Sequence, residues 1–339
     1  MKVFFAPDYR EGVAYQALLA EALAERGIEV TFPVGHRRVL PLSRGIEGWE
    51  GDLLHIHWPE KFFERRHDGL DFLRKLRFPL DLALTARKAP LVVTAHDLRP
   101  HNRGGEALLH SNFQRIYHAA RAIIAHSEKA AEEVALTYRV KRAKLRVIPH
   151  GDLSASLGSL PPRAGSGGPV CLMFGTVEPY KGIEPVIDWW RAAKPDATLA
   201  IAGKPFSAPY AKAIRERAGD ARNIRLDLAW QTDAALRQWL ADADCVMFHY
   251  RAIFTSGAAC LARSLGIPVL IPNRLDTIDL AEPHPSVFRF DALETDFRPA
   301  LETALNAGAD FAAAASWREA TAWPRIAQET ARVYEECVL

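Results

Sequence analysis

Apolar residues fall along this chain in short continuous runs, separated by stretches in which they recur every three or four positions. MKVFFAP reads as a strand ending in a loop, and AYQALLAEALAERG as a helix stopped at Gly27. IEVTFPV, DLLHIHW, PLVVTAHDL, AIIAHS and LRVIPHG follow as strands. Between them lie the helical spacings of EALLHSNFQRIYHAA and EKAAEEVALTY, and a basic helical stretch, LDFLRKLRFPLDLALTARKA, interrupted at Pro79. Strands that are apolar throughout, each followed by a helix, are the pattern of a parallel sheet covered on both faces.

From Asp152 to Gly168 the periodicity lapses into DLSASLGSLPPRAGSGG, a linker or long surface loop. A second alternating series then runs from PVCLMFG through ATLAIAG, IRLDLAW and CVMFHY to PVLIPN. A less regular section leads to FRPALETALNAG and a last helix, WPRIAQETARVYEECV. The expected organisation is two Rossmann-like α/β domains, 1–152 and 169–317, joined by a linker over 153–168, with a terminal helix over 318–339. The halves share architecture and show no close internal repeat.

Composition adds constraints. With 339 residues, 49% of them hydrophobic, the chain can fill two cores and is not a disordered segment. The four cysteines are scattered without a CxxC pair, which argues against a zinc site or a disulfide framework and fits a reducing compartment. No apolar run reaches the length of a spanning helix, and the N-terminus turns polar too soon for a signal peptide; a cytoplasmic protein is expected. The net charge of +2 hides an imbalance: residues 1–150 hold 24 Lys and Arg against 18 Asp and Glu, and the remainder 19 against 23. Ten of the twelve histidines also precede residue 151.

The polar clusters sit where strands end: PDYREG, HIHWPE, AHDLRPH, IPHG, GTVEPYKG, AGKP and HYRAIFTSG. Ligands of open parallel sheets bind beyond those ends. In the second series, Gly175 lets the backbone turn close to a ligand, and Lys181 stands at a helix start, where an ammonium beside free N–H groups attracts anions. Gly203 and Lys204 of AGKP, and Thr255, Ser256 and Gly257 ahead of a small-residue helix, complete a candidate diphosphate site. A helix cap at Ser256 and a solvated Lys181 are the plainer alternatives. Neither a Walker loop nor a GxGxxG fingerprint is present.

The order of these motifs, strand–FG–KG–helix, then IAGKP, then ADCVMFHY with TSG and ARSLGIPVL, then a tryptophan-led final helix, resembles the nucleotide-sugar glycosyltransferases with two Rossmann domains, the GT-B type. HIHWPE, VVTAHDLRPH, PYKG and WPRI are most similar to the xanthan-type β-mannosyltransferase family. The resemblance implies a GT-B fold with the last helix crossing back to the N-terminal domain. It also implies a nucleotide-sugar donor, GDP-mannose first, in the second domain. The acceptor would be a lipid-diphosphate-linked or polymer saccharide, in surface polysaccharide assembly. Many retaining relatives carry two glutamates eight residues apart before the GxPV element; here those places hold Ile253 and Leu261. The arginine that follows their FG is Thr176 here. An inverting mechanism is therefore expected, with Tyr250 and Arg251 beside the phosphates and Arg251 compensating for the missing arginine.

Inversion needs a group that takes the acceptor hydroxyl's proton. Asp97 is the leading candidate and Glu60 the next, ahead of Asp8 and Glu11. His96 matches a histidine that reaches the donor sugar in the wider superfamily. His57, Trp58, His101 and Glu11 are expected on the substrate side, with His55 and His57 on one strand face by alternation. HIHWPE has a second reading, a Trp–Pro lid over the core with a satisfied histidine. No metal and no nucleic acid are expected, since the second domain holds only two histidines. The basic stretch FFERRHDGLDFLRKLRFPLDLALTARK is either a solvated helix face or a peripheral contact with an anionic membrane leaflet. The rival functions are a glucuronosyl- or glucosyltransferase using a UDP-sugar, a sugar-nucleotide 2-epimerase of the same fold, and a non-catalytic binding module.

Overall fold

The computed structural model describes residues 1–11, 13–33, 39–63, 71–98, 106–164, 167–251, 253–275 and 284–339, with the backbone alone for 71–76 and 106–108. The chain divides into two compact units, Met1–Gly151 with Thr321–Leu339, and Asp152–Ala320.

In the first unit, β1 (Lys2–Ala6), β2 (Glu29–Thr31), β3 (Leu53–His57), β4 (Leu91–Thr94), β5 (Ala122–Ala125) and β6 (Leu145–Val147) form one parallel sheet in the order β2-β1-β3-β4-β5-β6. The apolar runs are the reason: every residue of β3, β4 and β5 is buried, as parallel strands between two helical layers must be. Helices α1 (Ala14–Ala24), α2 (Pro41–Gly45), α3 (Asp71–Ala86), α4 (Glu106–Ala119) and α5 (Glu128–Tyr138) connect them. Two details depart from the sequence expectation. Helix α3 runs through Pro79 without a break, with Phe78 and Leu82 buried on either side of it. The short α2 exists because a distant carboxylate caps it: buried Asp81 accepts hydrogen bonds from the backbone N–H groups of Leu42 (2.9 Å) and Ser43 (2.8 Å).

The second unit begins with a short helix, α6 (Ser154–Leu157), and builds a second parallel sheet. Its strands are β7 (Val170–Phe174), β8 (Thr198–Ala202), β9 (Ile224–Asp227), β10 (Cys245–Met247), β11 (Val269–Pro272) and β12 (Val287–Phe290), ordered β12-β11-β10-β7-β8-β9. The helices are α7 (Ile183–Ala193), α8 (Ala208–Ala218), α9 (Asp233–Asp242), α10 (Gly257–Ser264), α11 (Phe297–Asn306) and α12 (Phe311–Ala320). Ser207, Thr232 and Ser256 cap α8, α9 and α10, each accepting the N–H three residues on. The edge strand β12 lies where the sequence looked irregular, and helix α12 is an addition between FRPALETALNAG and the last helix. VFRF is four residues long and largely half-buried, too short to show a period, but β11 pairs with it along its length.

The last helix, α13 (Trp323–Val338), belongs to the first unit. Trp323 lies against Gly151, where a Cβ would fall 2.4 Å from its ring. Arg121 donates to the Cys337 carbonyl at 2.6 Å, and Tyr334 meets His55 Nδ1 at 2.6 Å. Among the described residues no helix is long and apolar enough to cross a membrane.

Imidazoles supply an unusual share of the first unit's core. His55, His57, His96, His126 and His150 are all buried, and four of them pack around the ring of Tyr15 within 5.8 Å. Burial, reinforced in the first four by neighbouring imidazoles, keeps them neutral: His55 and His126 are pushed down to about 3 and His150 to about 4, with His57 and His96 also well below the usual 6.5. Protons then bind the unfolded chain first. The stability these groups contribute is complete above pH 6.5 and is lost as pH falls from there toward 3.

Two outcomes follow. Equilibrium unfolding measured from pH 7.5 to 4 should show stability falling below about pH 6.5, with several protons taken up on unfolding; a flat profile would contradict neutral burial of the cluster. Tyr334→Phe removes a hydrogen bond from buried His55 and should cost about 1–3 kcal/mol in urea denaturation, where an unchanged midpoint would show the bond carries no weight.

Candidate functional site

Two sets of strand exits carry the polar groups, one in each unit. In the second unit, the loops after β7 and β8 are bonded into one surface. Gly175 N–H donates to the Ala202 carbonyl at 3.1 Å, Val177 N–H to Lys204 at 2.8 Å, and Phe206 N–H to Val177 at 2.8 Å. Glycine is required where they touch. Gly203 has a φ of 153°, and a Cβ there would lie 1.8 Å from the Gly175 carbonyl oxygen. Gly175 itself has a φ of 88°, and a Cβ would press to 3.0 Å from the Lys181 ammonium.

That ammonium is the centre of the site. A 3-10 turn, Pro179–Lys181, folds Lys181 back under the exit of β7, and Gly182, left-handed at φ 59°, starts α7. Lys181 is only 7% exposed; its Nζ donates to the Phe174 carbonyl at 3.2 Å and lies 5.7 Å from the Tyr250 ring centre. Among the described residues it makes no ion pair. Burial lowers its pKa to about 8, and Glu178 offsets part of that shift. A small hollow beside it is lined by Gly175, Thr176 and Lys181 together with core side chains such as Met173, Ile201, Phe248 and Tyr250. A cation held dry at a strand exit is a group prepared for an anion.

The remaining expected donor residues divide. Tyr250 is buried in the core beside Phe174 and Phe248, so its ring supports Lys181 from beneath. Arg251 is exposed, its N–H bonded to the Tyr180 carbonyl at 2.7 Å. Lys204 is exposed at the exit of β8. Ser256 is buried and accepts the Ala259 N–H at 3.2 Å, which is the capping role, while half-buried Thr255 and Gly257 flank it. Leu261 is a core residue and Ile253 packs against the same cluster, so the positions where glutamates were sought hold apolar packing.

The sequence reading passed over His249 and Arg274. His249 Nδ1 donates to the Gly182 carbonyl at 3.0 Å and so locks the turn after Lys181. Arg274, after β11, donates to the Tyr250 carbonyl at 3.1 Å, and burial lowers its pKa. Each is the second residue after a strand, and that position was the available signal. Phe206 and Trp230, after β8 and β9, are 60% and 66% exposed, large aromatic surfaces beside the same loops.

In the first unit the exits of β3, β4, β5 and β6 bring histidines together. Trp58 takes the left-handed conformation (φ 44°), which turns its ring flat onto His96 at 4.0 Å and 11°. Pro59 and Glu60 follow, both buried in a 3-10 turn. His55 and His57 do share a strand face, their rings 4.1 Å apart, and His57 has no exposed surface. His96, 5% exposed, has Nε2 at 3.1 Å from His57 Nδ1 and Nδ1 at 3.4 Å from His126 Nε2. Trp58 therefore is a lid over these rings, and both nitrogens of His96 face other imidazoles. Asp97, the next residue, is half-buried in the loop after β4. Glu11 is exposed. Asp8, at the exit of β1, is tied to Arg10 at 2.8 Å, a bond that holds its carboxyl below the usual range. His101 lies outside the described residues. Among the described residues, no three His, Cys, Asp or Glu side chains are placed to hold a metal ion.

Comparison with known proteins places this geometry. Residues 12–152 match the family model of Glycosyltransferase Family 4. A GDP-mannose:glycolipid 4-beta-D-mannosyltransferase of Xanthomonas campestris pv. campestris is 28% identical over 302 residues, covering 85% of this chain and 80% of the relative. Among solved structures, HepE of Anabaena in complex with UDP aligns with a TM-score of 0.68 at 16% identity, over 99% of each chain. The sucrose-phosphate synthase of Thermosynechococcus elongatus aligns with a TM-score of 0.72 at 14% identity, over 99% of this chain and 98% of that one. These structures speak to the fold, and the family and curated relatives to the chemistry. The chain is a glycosyltransferase of the GT-B fold, mannosyltransferase-like in its sequence.

Proposed function

We propose that the enzyme transfers mannose from GDP-mannose, with inversion, to a lipid-linked or polymer-bound saccharide in surface polysaccharide assembly. The observation that carries this reading is the buried ammonium of Lys181, without an ion pair among the described residues, at the loops after β7 and β8. It suits the diphosphate of a sugar nucleotide, whose charge it meets without competition from water. The name of the Xanthomonas relative supports both the donor and a glycolipid acceptor.

In the reaction, the acceptor oxygen forms its bond to the anomeric carbon as the bond from that carbon to the β-phosphate oxygen breaks. The leaving electron pair stays on the nucleoside diphosphate, where Lys181 offsets the new charge. The acceptor's proton passes to a carboxylate. Asp97 fits this better than Glu60, because Asp97 is half-buried in an exit loop whereas Glu60 is 6% exposed in a packed turn. Inversion fits Ile253 and Leu261, which provide no carboxylate near the donor. No metal takes part in this scheme. The basic first half, with Leu80 and Leu84 exposed on α3, suits peripheral contact with an anionic leaflet.

A UDP-sugar is the second reading, favoured by the UDP and UDP-glucose held by the Anabaena neighbour. A thermal-shift panel of GDP-, UDP- and dTDP-sugars separates the two; the largest rise should come with GDP-mannose. Lys181→Met should weaken GDP-mannose binding by roughly 10- to 100-fold in calorimetry, the equivalent of one lost charged hydrogen bond; unchanged affinity would remove the diphosphate site. Asp97→Asn should lower kcat by about 10²- to 10⁴-fold with donor affinity kept within about twofold. Wild-type turnover in that variant would eliminate Asp97 as the base.

A further inference from the structure

One carbonyl oxygen fixes the protons of three histidines. The Ile148 carbonyl can only accept, so His126 Nδ1, 2.9 Å away, carries a hydrogen. A neutral His126 then has a lone pair at Nε2, and the atom facing it at 3.4 Å is His96 Nδ1, which must be the donor. His96 in turn has its lone pair at Nε2, facing His57 Nδ1 at 3.1 Å, which must donate as well. The chain ends at His57 Nε2, a buried lone pair with no partner among the described residues. His55 stays outside it: its partners are the hydroxyls of Thr94 and Tyr334, which can donate or accept.

We propose that His57, His96 and His126 form a one-directional chain of Nδ1–H donors that clamps the β4 exit, so that His96 is a positioning residue for Asp97 and not a group that meets the sugar. Every side of the His96 ring with a described neighbour is engaged. Two nitrogens meet imidazoles, one face lies under Trp58, and Tyr15 meets it edge-on at 4.9 Å and 87°. A ring held this way cannot rotate without displacing Trp58 after β3, His126 after β5 and Tyr15 of α1 together. Asp97 leaves the strand from that fixed point, so the place from which its side chain starts is set by the clamp. Burial, which keeps all three rings neutral, supports the alternation of donor and lone pair. The functional half of this inference rests on Asp97 as the base; the proton pattern does not.

Two measurements test it. Long-range 15N–1H spectra of the histidine side chains at pH 7.5, assigned with single His→Asn variants, should show His57, His96 and His126 in the Nδ1–H form, the less common neutral tautomer. An Nε2–H form or an imidazolium at His96 or His126 overturns the chain. His57→Asn keeps a donor near the Nδ1 position and His57→Leu removes it. GDP release from GDP-mannose with a glycolipid extract should fall at least about tenfold in kcat for His57→Leu, with GDP-mannose affinity unchanged, and recover to within about threefold of wild type in His57→Asn. Equal losses in the two variants, or no loss, overturn the positioning role. If His57→Leu does not fold, the wild-type spectra together with the kcat of His57→Asn decide the matter. An active Asp97→Asn variant would leave the tautomers intact and strike only the choice of base.

Discussion

A lysine ammonium kept out of water needs a place where the backbone itself supplies the first partner, and the second unit provides one by bringing two loops unusually close. The Gly175 carbonyl lies where a side chain on Gly203 would be, and Gly175 leaves its own side open to Lys181. Only because both lack a Cβ can the 3-10 turn tuck Lys181 against the Phe174 carbonyl. The cost of desolvating that charge is visible in its lowered pKa, and it is the cost an arriving diphosphate would remove. His249, bonded to the Gly182 carbonyl, secures the far end of the same turn. The donor site proposed for the second unit depends on this one arrangement of glycine, carbonyl and cation.

The first unit uses polar residues differently. Its exits are rich in histidine, which invites a catalytic reading of each, yet burial makes most of them structural. His55 is satisfied by two hydroxyls, His150 Nδ1 donates to the Gly151 carbonyl, and His57 and His126 hold His96 between them. What emerges at the surface is the residue after the cluster, Asp97, not the cluster.

Much of the fold was legible because parallel strands declare themselves: LLHIH, LVVT, AIIA and VCLMF are buried along their whole length. The alternation of β3 also foretold that His55 and His57 share a face. What the sequence hid was lateral. That His57, His96 and His126 meet depends on β3, β4 and β5 being neighbours in the sheet, and no spacing along the chain states that order. The cap of α2 by Asp81 joins residues 38 and 39 positions apart, equally invisible. Arg274 escaped notice because its role comes from carbonyls on the adjacent strand's exit. That Gly175, Gly203 and Lys181 come together could be read in advance because their contacts are local to two turns.

The most direct test is proton uptake when donor binds. With the Lys181 ammonium near pH 8 in the free enzyme, calorimetric titration of GDP-mannose at pH 8 in two buffers of different ionisation enthalpy should report about half a proton taken up per site. Lys181→Met, titrated the same way, should take up none. Binding of GDP-mannose without any proton uptake by the wild-type enzyme would contradict a buried Lys181 as the diphosphate's partner.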